Sequence, residues 1–212
     1  MRVTVKICGL TSLGDARAAV AAGADFVGFV FDTTSRRAVG AAGPAWIRGV
    51  AGAPRVGVFR DHDEATVRRV RDEARLELVQ LHGDETPEMC EALGGCTRVI
   101  KAIPVGRRLD PGRVAAYSAV ARIVFDTASA SGGGTGVAFD WRLLDAVPGD
   151  VAFWLAGGLT PENVARAVRE TRAAGVDVAS GVERSPGVKD AERVRRFISA
   201  VRSARRVERG GA

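Results

Sequence analysis

Eight short apolar runs rich in β-branched residues alternate with eight stretches of helical character along the 212 residues, and few folds accommodate that rhythm. The strand-like runs are "VTVKIC" (3–8), "DFVGFVF" (25–31), "RVGVF" (55–59), "ELVQL" (77–81), "RVIKAI" (98–103), "ARIVFD" (121–126), "VAFWLA" (151–156) and "VDVAS" (176–180). Each is mostly apolar and bounded by turn residues, as strands covered by helices must be. Helix-like stretches lie at 12–22, 44–51, 63–75, 86–93, 110–119, 140–146, 161–173 and 189–203. Asp63, Thr86, Asp110 and Thr160 suit N-cap positions, and Pro87, Pro111 and Pro161 follow three of them where a first helical turn tolerates proline. "AAGADFVGF" (21–29) echoes "AAGVDVASG" (173–181), with Gly23 and Gly175 predicted as left-handed helix stops.

Repeated β-α units imply a parallel sheet, either open and doubly wound or closed. The count of eight favours the closed α/β form, a (β/α)8 barrel of eight parallel strands, for which this length is compact. Such a barrel consumes residues 1–205 and leaves no room for a second domain; 206–212 is expected as a flexible basic tail. Apolar residues make up 46% of the chain, yet no run is long enough to span a bilayer, so no membrane partner is expected. "MRVTVKICGL" lacks the features of a secretory signal. Three cysteines, Cys8, Cys90 and Cys96, show no metal-like spacing and read as reduced thiols of a cytoplasmic protein. The formal charge of +6 comes mainly from arginine, since lysine occurs only at 6, 101 and 189. Arginines crowd "VRSARRVERGGA" (201–212), but no aromatic or glycine-rich recognition pattern accompanies them, and cations suit a helix C-terminus. Nucleic acid is therefore not an expected partner.

Chemistry in this architecture gathers at the C-terminal ends of the strands and in the loops after them. Cys8 ends the first strand, Arg36 and Arg37 follow the second, Gln80 and His82 close the fourth, Lys101 lies in the fifth and Asp126 ends the sixth. Glycine pairs with strand ends in "LAGGLTPENV" (155–164) and "ASGVE" (179–183), the second opening a short extra helix. Glycines let backbone amides approach an anion, and loops after strands seven and eight recur as phosphate sites in such barrels. A strand cysteine is by itself an ordinary core residue. Lys6 shares its strand face, either as an electrostatic aid or as one half of a buried ion pair. Cys90 and Cys96 read as buried or incidental thiols.

The same pieces, in order, resemble the phosphoribosylanthranilate isomerase family of tryptophan biosynthesis: "KICGLT", "GADFVGFVF…SRR", "VGVF", "VQLHGDE", "IKA", "FDT", "GGTG…FDW", "AGGLTPENV" and "GVDVASGVERSPGVKD". The resemblance implies an Amadori isomerisation of N-(5-phosphoribosyl)anthranilate to 1-(2-carboxyphenylamino)-1-deoxyribulose 5-phosphate, with no cofactor or metal. It implies Cys8 as general base, Asp126 as general acid and Arg37 at the anthranilate end of the substrate. Amides around Gly157, Gly158, Ser180 and Gly181 would hold the phosphate. Gln80 and His82 are expected to face the pocket and contact substrate, Arg36 to be solvated, and the loop 131–136 to act as a lid. The partner implied is a small anionic molecule, and the sequence is compatible with monomer and homodimer alike. Ala156 and Ala179 stand where many relatives carry serine, which weakens the expected phosphate grip without touching acid or base. A related phosphate-binding barrel acting on another phosphosugar is the alternative.

Overall fold

The computed structural model describes residues 2–40, 43–128 and 138–204. Eight parallel strands close in chain order: β1 (Thr4–Ile7), β2 (Phe26–Val30), β3 (Arg55–Phe59), β4 (Leu78–Leu81), β5 (Val99–Val105), β6 (Arg122–Thr127), β7 (Phe153–Leu155) and β8 (Gly175–Val178). Pairing of β1 with β8, from Thr4 opposite Gly175 to Ile7 opposite Val178, closes the barrel and excludes the open sheet. Around it stand α1 (Leu13–Ala21), α2 (Gly43–Ile47), α3 (Glu64–Ala74), α4 (Pro87–Ala92), α5 (Gly95–Arg98), α6 (Pro111–Ser118), α7 (Val164–Glu170) and α8 (Ala191–Ser203). A small antiparallel hairpin, β9 (Glu183–Ser185) with β10 (Val188–Lys189), follows β8.

Strand alternation sorts the side chains into two compartments. Val56, Leu78, Ile100, Ala102, Val124, Trp154 and Ala156 pack along the barrel axis. The intervening residues, among them Val5, Ile7, Val79, Ile123 and Val176, meet the helices. Helix α8 presents Val194, Phe197, Ile198 and Val201 at helical spacing to that outer layer, the stripe an amphipathic helix needs.

Several local expectations are corrected. Asp63, Thr86 and Asp110 cap their helices, but Thr160 does not: α7 begins at Val164. The Asn163 side chain accepts from the Thr160 amide at 2.8 Å and donates to the Gly158 carbonyl at 2.8 Å, drawing 160–163 into a turn instead. Residues 141–146 form a 3₁₀ turn, not an α-helix. Lys189 belongs to β10, because Asp190 accepts from the Glu192 and Arg193 amides and starts α8 after itself. Gly23 does take a positive φ of 96°, whereas Gly175 is an ordinary strand residue kept small by packing. A Cβ there would stand 2.3 Å from Thr4 Oγ1 and 2.8 Å from the Trp154 ring. The 131–136 loop and the 206–212 tail lie outside the described residues. Among those described, no helix is long and apolar enough to cross a membrane.

Gly175→Ala is expected to lower stability by about 1–3 kcal/mol through overpacking of the β1–β8 seam. Urea denaturation followed by circular dichroism measures this, and an unchanged midpoint would show that the seam has slack.

Candidate active site

A cavity of about 480 Å³ opens at the C-terminal ends of the strands. Strand parity decides which side chains reach it. On β1, Lys6 and the following Cys8 point inward; on β6, Val124 and Asp126 do. Cys8 and Asp126 therefore approach the cavity from walls separated by β7 and β8. Lys101, grouped with the rim residues on sequence, faces the helices instead, because Ile100 and Ala102 occupy the inward positions of β5. Its ammonium meets Glu85 at 2.9 Å and the Gly83 carbonyl at 2.6 Å.

Cys8 is 8% exposed and sits among Val30, Val58 and Ala179. Burial pushes its thiol up, and Asp177 adds to that; nearby Lys6 and Lys189 pull it back without reversing the shift. Lys6 forms the buried ion pair, 2.8 Å from Asp177 Oδ2 across the β1–β8 register. Burial disfavours the Lys6 ammonium, but Asp177 and Cys8 outweigh it and hold its pKa above the ordinary value.

Asp126 Oδ1 accepts from the Thr127 amide at 2.7 Å, and Oδ2 lies 3.2 Å from His82 Nε2. Gln80 Nε2 stands 3.2 Å from His82 Nδ1. Donation from the amide to Nδ1 leaves the imidazole proton on Nε2, facing Asp126. A contact between His82 and the carboxylate was not legible in the sequence, where only the shared parity of 80 and 82 showed. Gln80 Oε1 is buried and has no hydrogen-bond partner among the described residues.

Arg37 lies across Gly9, whose absent Cβ would fall 2.5 Å from Arg37 Cδ. Its Nε and Nη2 each donate to Glu183 at 2.8 Å, and Lys189 Nζ reaches the same carboxylate at 2.8 Å. Burial raises the Glu183 pKa, but Arg37 and Lys189 outweigh it and leave the carboxyl below its usual range. The pair orients the guanidinium at the cavity rim. Arg36 is exposed, as expected, though it too lines the mouth.

Gly157 and Gly158 adopt φ values of 81° and 64°, which favour glycine. A Cβ on Gly157 would sit 2.7 Å from Asp126 Oδ1, so this loop also packs against the carboxylate. Ser180–Val182 form the short extra helix. Ser180, Gly157 and Gly158 line the cavity, whereas Gly181 stands behind it, where a Cβ would collide with the Leu159 carbonyl at 1.9 Å. Asp32, Thr34, Ser35, Arg60 and Asp177 also line the cavity and were not singled out from sequence. Cys90 is buried, its thiol pushed up to about 11, and Cys96 is exposed; neither lines the cavity. Among the described residues no three of His, Cys, Asp and Glu gather as a metal site would require.

A (β/α)8 barrel with an apposed thiol and carboxyl, an oriented arginine and glycine loops after β7 and β8 defines a phosphosugar isomerase type of site. Residues 5–200 match the family described as N-(5'phosphoribosyl)anthranilate (PRA) isomerase. An N-(5'-phosphoribosyl)anthranilate isomerase of Rhodopseudomonas palustris (strain HaA2) is 45% identical, with 96% of this chain and 98% of that protein covered. The phosphoribosyl anthranilate isomerase structure from Thermus thermophilus superposes with a TM-score of 0.84 at 37% identity, covering 97% and 100% of the two chains. A phosphoribosyl anthranilate isomerase in complex with reduced 1-(o-carboxyphenylamino)-1-deoxyribulose 5-phosphate gives 0.80 at 37% identity, covering 94% and 98%. The chain belongs to the N-(5'-phosphoribosyl)anthranilate isomerase family.

The Glu183 contacts predict a specific acid response. Since its folded pKa is depressed, its stabilisation is fully present above the unfolded carboxylate value of about 4.3 and is lost as pH falls through the lower folded value. Urea midpoints measured from pH 7 downward should fall less steeply in Glu183→Gln than in the parent protein, although that variant starts lower at pH 7. Parallel profiles would show that Glu183 does not carry the acid sensitivity.

Proposed function

We propose that this chain catalyses the Amadori rearrangement of N-(5-phosphoribosyl)anthranilate to 1-(2-carboxyphenylamino)-1-deoxyribulose 5-phosphate in tryptophan biosynthesis, with Asp126 as acid and Cys8 as base. The observation that carries this reading is a full-length family match joined to a cavity that Cys8 and Asp126 enter from different walls. Residues 1–205 act as one catalytic unit in this proposal.

The reaction needs one acid and one base on a fixed sugar. The Asp126 carboxyl delivers its proton to the furanose ring oxygen as the bond from that oxygen to C1′ breaks, and the anilino nitrogen lone pair forms the iminium. The carboxylate so formed is stabilised by the Thr127 N–H and by His82 Nε2–H, both already aimed at it. The Cys8 thiolate then takes the C2′ proton, forming S–H. The electron pair of that C–H bond becomes the C1′=C2′ double bond and neutralises the iminium. Tautomerisation of the enaminol gives the ketose.

A thiol of ordinary pKa, about 8.5, is only fractionally ionised near neutrality, and burial pushes Cys8 higher still, yet the adjoining iminium acidifies C2′ enough for a weak base. Phosphate is held at Gly157, Gly158 and Ser180, with Gly181 shaping the loop behind them; the anthranilate carboxylate meets Arg37. Gln80 and His82 hold the acid in place and border the bound sugar. A reducing, cytoplasmic setting suits a mechanism that requires Cys8 as a free thiol.

The test is a coupled fluorescence assay in which the substrate is generated in place from anthranilate and phosphoribosyl pyrophosphate. Rapid protein-dependent loss of its fluorescence is expected; none, with folded protein and active coupling enzyme, would redirect the search to other phosphosugars. Cys8→Ser should fold and lose at least about 10²-fold in kcat, the scale of general acid–base catalysis. Asp126→Asn should bind product with near-parent affinity while kcat falls on a similar scale. Near-parent turnover in either variant would remove that residue from the mechanism.

A further inference from the structure

Lys6 is fully buried, and its ammonium pairs with Asp177 at the β1–β8 seam. A buried ion pair is weak as a stabilising device, since desolvation of both ions offsets their attraction. Its placement points elsewhere. A Cβ added to Gly28 on β2 would stand 2.8 Å from Cys8 Sγ and 3.0 Å from Lys6 Cε, so the thiol and the lysine stem share the space that glycine leaves open. Asp177 Oδ2 holds the ammonium at 2.8 Å, while its Oδ1, buried at the cavity wall, has no hydrogen-bond partner among the described residues. The lysine is thus gripped by β8, and its stem lies beside the sulfur.

We propose that Lys6, anchored by Asp177, is a positioning residue that serves as the resident counter-cation of the Cys8 thiolate. This rests on Cys8 as the base and names the group that keeps it usable. The charged groups that bear on Cys8 are few. Lys6 lies on its own strand, Asp177 on β8, Lys189 on β10 and Arg37 after β2. Arg37 and Lys189 pair with Glu183 as Lys6 pairs with Asp177, but it is the Lys6 stem that borders, with Cys8 Sγ, the space over Gly28. The remaining neighbours, Val30, Val58 and Ala179, are apolar and offer an anion nothing. Lys6 is therefore the cation placed beside the thiol on its own strand face, its charge favouring the thiolate while Asp177 opposes it. When Cys8 takes a proton from C2′, no proton passes through Lys6; the ammonium remains charged and Asp177 becomes its sole counter-ion.

The experiment is pH-dependent alkylation by iodoacetamide, read by mass spectrometry on the Cys8 peptide of the full-length protein in a Cys96→Ser background. Lys6→Met combined with Asp177→Asn removes both charges and should move the Cys8 profile to higher pH by about one unit or more. Asp177→Asn alone removes the opposing carboxylate while the Cys8 thiolate itself still favours the Lys6 ammonium, so the profile should move to lower pH. In the double variant kcat should fall about tenfold or more at neutral pH, with KM little changed, and recover in part at alkaline pH as the thiol ionises unaided. Opposite displacements in the two variants are the signature, since a purely structural pair would shift neither profile. An unmoved Cys8 profile in the double variant, or an upward shift in Asp177→Asn, overturns the proposal. Should the double variant fail to fold by circular dichroism, the direction of the Asp177→Asn shift decides alone. Alkylation reports the thiolate whether or not the isomerase assay succeeds, so a failure here is separable from a failure of Cys8→Ser to lose turnover.

Discussion

Closure of the barrel at the β1–β8 seam sets one buried ion pair, Lys6 with Asp177, at the cavity wall. A parallel register sets these two residues opposite one another at the seam, and strand parity turns both inward. Slipping either strand by one residue would bury an unpaired charge against the helices, so the pair fixes the register as well as occupying it. The same logic recurs at the other lysines. Lys101 meets Glu85 between sheet and helices, and Lys189 meets Glu183 beneath the rim. Every lysine of the chain is buried and paired, while arginine supplies the exposed cations.

Around this seam, glycine acts mainly by vacancy. Gly28 makes room for Cys8 beside Lys6, Gly9 lets Arg37 lie flat against the chain, and Gly175 leaves space for the Trp154 ring. Gly157 combines both properties of the residue, a positive φ and a close approach to Asp126. The glycine loop after β7 and the Asp126 wall of the cavity are consequently one packed unit.

Electrostatically the rim is a set of committed charges. Glu183 ties the loop after β2 to the hairpin after β8 through Arg37 and Lys189, and His82 ties β4 to β6 through Asp126. Each link spans elements distant in sequence. The cavity therefore exists as a chemical environment only once the barrel has closed, and preorganisation of this kind is what lets weak acids and bases work.

The sequence by itself determined the number and order of the β-α units, the inward parity of Cys8 and Lys6, the helix caps at Asp63, Thr86 and Asp110, and the glycine loops. These depend on local preferences and on alternation, which one strand carries within itself. Its motifs also carried the family. Tertiary structure decided the rest. Thr160 lost its cap because Asn163 reached back across the turn, and Gly175 stayed in a strand because Trp154 packs over it. Lys101 left the rim because Ile100 and Ala102 hold the inward positions of β5. The His82–Asp126 contact, the Arg37–Glu183–Lys189 cluster and the Lys6–Asp177 seam join residues up to 171 positions apart. No spacing rule encodes such pairs: they arise only when chain closure brings two charges into one desolvated space, where each must find the other.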